Sequence, residues 1–125
     1  VISKFINQVS NSKNLSVYGD GTQVRAFCNV KDAARGLFLT LIKGKKNTVY
    51  NIGNNDEPIS MYNLAKRVKD LSNSDVKIVK INFDKSDRLK EREIFKRYPD
   101  LKKIKKDTGY KPKISLDDGI IQLLK

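Results

Sequence analysis

Arginine is the residue type in this sequence with the clearest chemistry to offer. Its planar guanidinium matches phosphate oxygens with two parallel hydrogen bonds, and two positions present it beside a constrained backbone. Arg25 follows VYGDGTQV, residues 17–24, where Gly19 and Gly21 permit a tight turn and a close backbone approach. Arg97 precedes Tyr98-Pro99-Asp100, a corner whose proline fixes the direction of the chain. Brought together by the fold, the two would hold a diphosphate from two sides. Spacing alone leaves surface or ion-pair roles as the simpler reading of both. Tyr18, beside the same turn, offers an aromatic face or edge to a base.

Other chemistry is thinner. Tyr62/Lys66 and Tyr98/Lys102 have the Tyr-x-x-x-Lys spacing that sets Lys one helical turn from Tyr, where it lowers the phenol pKa. Tyr62 falls in the first turn of an amphipathic helix and Tyr98 precedes a proline, so both pairs read as coincidences and no catalytic residue is assigned. Gly19-Asp20-Gly21 lacks the third glycine of a dinucleotide fingerprint and leads into a strand rather than a helix. There is no histidine and a single cysteine, Cys28, which excludes an internal disulfide and His-based triads. Within AFCNV, Cys28 reads as a small buried hydrophobe. No CxxC or carboxylate cluster suggests a metal site.

The elements that must position these residues alternate. VISKFINQV has helical spacing, and Leu15–Tyr18 reads as a strand entering the Gly19–Gly21 turn. Residues 25–30, RAFCNV, read as a second strand. Asp32 caps or favours the first turn of the helix AARGLFLTLIKG, with Gly44 as its stop. TVYNIGN reads as a strand. Ser60 caps MYNLAKRVKDLS, with Leu64, Val68 and Leu71 on one face. DVKIVKI reads as a strand, and NFDKSDRLKEREIFKRYP as a long loop with a charged helical turn. Asp100 caps LKKIKKDTG, which Gly109 closes, and Ser115 starts the last helix. The fold class is α/β in one domain, residues 1–125.

The net charge is +12, from 8 basic and 4 acidic residues up to Tyr62 and 18 basic and 10 acidic beyond it. Such a balance suggests an anionic partner or a Lys-rich surface that maintains solubility. No apolar run approaches the roughly 18 residues of a membrane span, and no signal-peptide pattern opens the chain. The absence of an initial Met suggests a piece of a longer polypeptide. The single thiol suggests a reducing, cytoplasmic compartment.

In their order and spacing, VISKFINQV, LSVYGDGTQVRAFCNVKDAARGL, YNIGNNDEPISMYNLAKRV and KRYPDLKKIKKDTGYKPKISLDDGI closely resemble the C-terminal half of the extended short-chain dehydrogenases/reductases. These are NAD-dependent nucleotide-sugar epimerases, dehydratases and decarboxylases. The resemblance covers essentially all 125 residues. It implies a small mixed α/β substrate-binding domain without its N-terminal Rossmann domain. The NAD site and the catalytic Tyr/Lys would then lie outside this chain, which would bind no cofactor and be inactive alone. The parent enzyme would be a cytoplasmic homodimer acting on a UDP- or dTDP-sugar. The resemblance implies that Arg25 and Arg97 contact the substrate diphosphate, that Tyr18 lies near the base, and that Arg92 is a further substrate-binding candidate. Asn29 departs from the family's usual aromatic residue before Val30. A small basic nucleic-acid-binding module is the alternative, supported by the charge and by Lys102–Lys106, and opposed by the absence of any nucleic-acid motif.

Overall fold

The computed structural model describes residues 1–82 and 94–125. Arg92 and the charged helical turn expected beside it lie outside the described residues. The described residues form five helices and five short strands. In chain order they are α1 (Ile2–Ser10), β1 (Leu15–Tyr18), β2 (Val24–Arg25), α2 (Val30–Lys43), β3 (Ile59–Ser60), α3 (Met61–Leu71), β4 (Ile78–Ile81), β5 (Lys96–Arg97), α4 (Lys102–Thr108) and α5 (Leu116–Leu124).

Two small sheets form. β1 and β4 run parallel, pairing Leu15 with Ile78 and Tyr18 with Ile81. The other sheet has the order β3-β2-β5. Parallel pairing needs a long crossover, here supplied by everything from β2 to α3. The main core lies where α1, α3 and α5 converge on β1, around Phe5, Leu15, Val17, Leu64, Val68 and Ile120. These are the apolar positions that recur at helical spacing in α1 and α3. A second, smaller cluster of Leu101, Ile104 and Tyr110 packs against Leu39, Tyr50 and Ile52 beneath α2.

Caps set most helix boundaries. Ser60 Oγ accepts from the Asn63 amide, and Ser115 Oγ from the Asp118 amide. Gly109 closes α4 in the left-handed region at φ 72°; at the other end Leu101, not the expected Asp100, is the N-cap, and Asp100 Oδ1 accepts from the Lys102 amide at 2.8 Å from one residue further out. Gly44 ends α2 in an extended conformation.

The expected strands and the long loop need correction. The strand over residues 25–30 is only Val24–Arg25. Asn29 accepts from the Lys31 amide and caps α2, so the helix begins at Val30. Asp32 is therefore in the first turn, the second of the two places expected for it. TVYNIGN forms no strand, because no neighbouring strand pairs with it. β5 instead appears at Lys96–Arg97, inside the expected loop, because β2 offers it a partner edge.

Candidate functional site

The VYGDG stretch is built as its glycines require. Gly19 and Gly21 adopt φ of 61° and 76°. Asp20 Oδ1 accepts from the Thr22 amide and hydroxyl, and these hydrogen bonds hold the carboxyl below its ordinary range. The turn is stitched to the start of α3: the Tyr62 amide donates to Gly21 O, and the Met61 amide to Gln23 O, both at 3.0 Å. A Cβ at Gly21 would meet Val17 Cγ1 at 2.7 Å and Tyr62 Cβ at 2.8 Å. Protein, rather than a pyrophosphate, fills that space. The turn also runs into β2 and not into a helix N-terminus, so it does not fit a dinucleotide.

β2 is the middle strand of its sheet. It pairs antiparallel with β3, Arg25 opposite Ile59, and parallel with β5, Arg25 opposite Arg97. The fold thus brings together the two arginines that lie 72 residues apart in sequence. Arg25 is half-buried; its Nη1 donates to Val24 O at 2.8 Å and to Phe95 O at 3.4 Å. Arg97 is exposed and lines a cavity of about 430 Å³ with Cys28, Asn51, Asn54, Pro99 and Asp100.

Asparagines that sequence reasoning missed hold the corner after Arg97. Asn55 Nδ2 donates to Pro99 O and Asn51 Nδ2 to Asp100 O, both at 3.2 Å. Gly53 lets Pro99 approach, since a Cβ there would meet Pro99 Cγ at 2.8 Å. The signal available in sequence was the run Asn51-Ile52-Gly53-Asn54-Asn55, which has more side-chain amides than a strand end requires.

Tyr18 ends β1 in the other sheet, apart from the arginine pair. Lys4 Nζ stands 4.7 Å above its ring centroid and 3.4 Å from its hydroxyl. Tyr62 carries Lys80 Nζ at 5.7 Å from its ring centroid. Cys28 is half-buried, its thiol 3.8 Å from the Tyr110 hydroxyl, and burial pushes it above its ordinary pKa. Among the described residues, no group of three or more His, Cys, Asp or Glu could hold a metal ion. Among them, no helix is long and apolar enough to cross a membrane.

Comparison with known proteins gives this mixed α/β chain its family. The sequence signature of the NAD dependent epimerase/dehydratase family matches residues 1–53. The chain is 37% identical over 120 residues to UDP-glucuronic acid decarboxylase 6 of Arabidopsis thaliana, covering 96% of this chain and 33% of that protein. It superposes with a TM-score of 0.86 at 26% identity on the UDP-glucose 4-epimerase of Thermotoga maritima solved with UDP-glucose, covering 98% of this chain and 37% of the epimerase. The dTDP-glucose 4,6-dehydratase of Streptomyces venezuelae, solved with NAD, gives 0.82 at 26% identity and coverages of 96% and 35%. The chain belongs to the NAD-dependent epimerase/dehydratase family of the extended short-chain dehydrogenases/reductases. It spans about a third of the length of the relatives it matches.

Proposed function

We propose that this chain is the substrate-binding portion of an NAD-dependent nucleotide-sugar epimerase, dehydratase or decarboxylase. One observation carries the reading: Arg25 and Arg97 are register partners on adjacent strands, directly after the glycine turn. Two arginines at paired positions of adjacent strands suit the oxygens of a diphosphate. Tyr18 lies at the base end and Arg92 is a further contact. In the whole enzyme, a cytoplasmic homodimer, NAD accepts and returns hydride at the sugar. It is held by residues outside this chain, whose own turn does not fit it. This chain contributes position, since grip on the remote diphosphate orients the reacting carbon. The relatives named above are UDP- and dTDP-sugar enzymes by name, which supports UDP or dTDP as the nucleotide.

Isothermal titration of the chain with UDP, dTDP, GDP and CDP tests this. Binding of UDP or dTDP that weakens at least tenfold in Arg97→Ala is expected. No binding of any of the four would refute it. The nucleic-acid alternative would instead show RNA or DNA binding that falls steeply with salt, and no described site favours it.

A further inference from the structure

The sequence holds two Asp-Gly steps, Asp20-Gly21 and Asp118-Gly119. Such steps age without an enzyme. The glycine nitrogen attacks the aspartate Cγ, an N–Cγ bond forms, and one carboxyl oxygen leaves as water. The succinimide so formed takes water back at either carbonyl. Opening at the α-carbonyl leaves the main chain running through the side-chain carbon, as isoaspartate. The water released equals the water taken up, so no other reagent is needed. Glycine favours the attack because it has no Cβ to hinder ring closure and leaves the backbone free to turn.

The fold treats the two steps differently. In α5 the Gly119 amide donates to Ser115 O at 3.1 Å, and Asp118 Oδ2 accepts from the Ser115 hydroxyl at 2.6 Å. Nitrogen and carboxyl are both engaged, and the helical backbone fixes their relation. In the turn, no acceptor among the described residues takes the Gly21 amide. Asp20 stands between two residues of positive φ, Gly19 at 61° and Gly21 at 76°. Its Oδ1 accepts from the Thr22 amide and hydroxyl, closing a hydrogen-bonded ring that runs through the Gly21 amide.

We infer that Asp20-Gly21 is the isoaspartate-forming step of this chain, that Thr22 brakes it, and that Asp118-Gly119 is protected by its helix. The brake follows from the leaving group. Water leaves only from a protonated carboxyl, and the two Thr22 bonds hold the Asp20 carboxyl ionised, below its ordinary range. The consequence falls on the arginines, and in this it rests on the function proposed above. Isoaspartate adds one carbon to the main chain just before Gly21, whose carbonyl takes the Tyr62 amide. Val17 and Tyr62 pack against Gly21, so the turn has no room to absorb the change. It passes instead into β2, where the register sets Arg25 opposite Arg97.

Incubation of the folded chain in oxygen-18 water tests this, because hydrolysis of the succinimide leaves one heavy oxygen in the peptide. Label and isoaspartate, read by mass spectrometry, should accumulate at Asp20 at least tenfold faster than at Asp118. In guanidinium chloride the two rates should converge. Thr22→Val, which keeps the shape and removes the hydroxyl, should raise the Asp20 rate at least threefold, and Asp20→Glu should leave no label there. Far-UV circular dichroism checks that both variants stay folded. Equal rates in the folded chain, faster ageing at Asp118, no label at Asp20 outside denaturant, or a rate unmoved by Thr22→Val would overturn the inference. The aged fraction, separated by chromatography, should bind UDP at least tenfold more weakly than the fresh chain, and equal binding would overturn the consequence drawn for Arg25. A fresh chain that binds no UDP would sink the proposed function and leave the labelling result standing, so the two failures are distinguishable.

Discussion

Arg25 and Arg97 are register partners across the parallel β2–β5 pair, so two like-charged side chains leave one face of the sheet next to each other. Without a ligand this neighbourhood is unfavourable: directly opposed like charges on strands destabilise by about 0.2–1 kcal/mol. On the function proposed above, a bound diphosphate offsets that cost. Replacing the more exposed partner, Arg97→Gln, should raise the Tm of the free chain by about 1–4 °C. The same variant should lose UDP affinity. A variant that lowers Tm and leaves affinity unchanged would remove the arginines from the site.

In the full-length enzyme, Arg25→Ala should raise the substrate KM at least tenfold. A charge-assisted hydrogen bond contributes about 1.5–3 kcal/mol, and tenfold corresponds to roughly 1.4 kcal/mol. Arg25 also holds Val24 O and Phe95 O, so Arg25→Lys is the sharper variant. It keeps a charge but loses the planar fork, and KM should still rise. Steady-state kinetics with an unchanged KM in both variants would sink the role.

The arginine pair shows how far the sequence was legible. The residue types, the glycine turn and four of the helix caps follow from local chemistry, which sequence displays. The pairing itself does not, because β5 is two residues long and exists only where β2 offers an edge. TVYNIGN fails for the converse reason. Its residues favour a strand, as the inward turn of Tyr50 and Ile52 confirms, but a ladder needs a neighbour. At RAFCNV, Asn29 decided the outcome, since a side-chain cap outweighs the β preference of the residues around it. Asn51 and Asn55 were invisible as site-builders because their partners, Asp100 O and Pro99 O, are main-chain atoms more than 40 residues away.

Asp32 holds two distant segments together. It is buried, and Oδ2 accepts from the Lys113 and Ile114 amides, both at 2.9 Å. Oδ1 receives no aligned hydrogen bond, so its 3.0 Å approach to Arg35 Nη2 is a coulombic pairing. Arg35 in turn donates to Lys111 O. Asp32→Ala would leave the two amides without their acceptor, while Arg35 keeps Lys111 O. Each donor left unsatisfied costs about 1–3 kcal/mol, so thermal melting should fall by roughly 6 °C or more. A fall under about 3 °C would show that the 111–114 segment is held by other means.

Gly36→Ala sets two effects against each other. Alanine favours a helix interior by about 1 kcal/mol over glycine. The added Cβ would meet Ile52 Cγ2 at 2.6 Å and Tyr110 Cε2 at 3.0 Å, and overpacking of this kind costs about 1–3 kcal/mol. Tyr110 cannot yield easily, since its hydroxyl donates to Gly53 O at 2.8 Å. The clash should win, giving a lower denaturant midpoint. A higher midpoint would mean that the second cluster repacks freely.

Stability should fall at alkaline pH, and the sign follows from two protons. Burial raises the Tyr110 phenol well above its ordinary 10.0, and burial likewise raises the Cys28 thiol above 9.0. The folded chain therefore keeps both protons at a pH where the unfolded chain releases them. Their contribution is fully present below about pH 9 and is lost as pH climbs through the range between unfolded and folded values. Tm should be level from pH 7 to 8.5 and decline above 9. Tyr110→Phe, which keeps the ring and removes the titrating hydroxyl, should be less stable at pH 7 through the lost Gly53 hydrogen bond, yet decline less steeply above pH 9. Equal alkaline slopes in the two proteins would show that the decline comes from groups other than Tyr110.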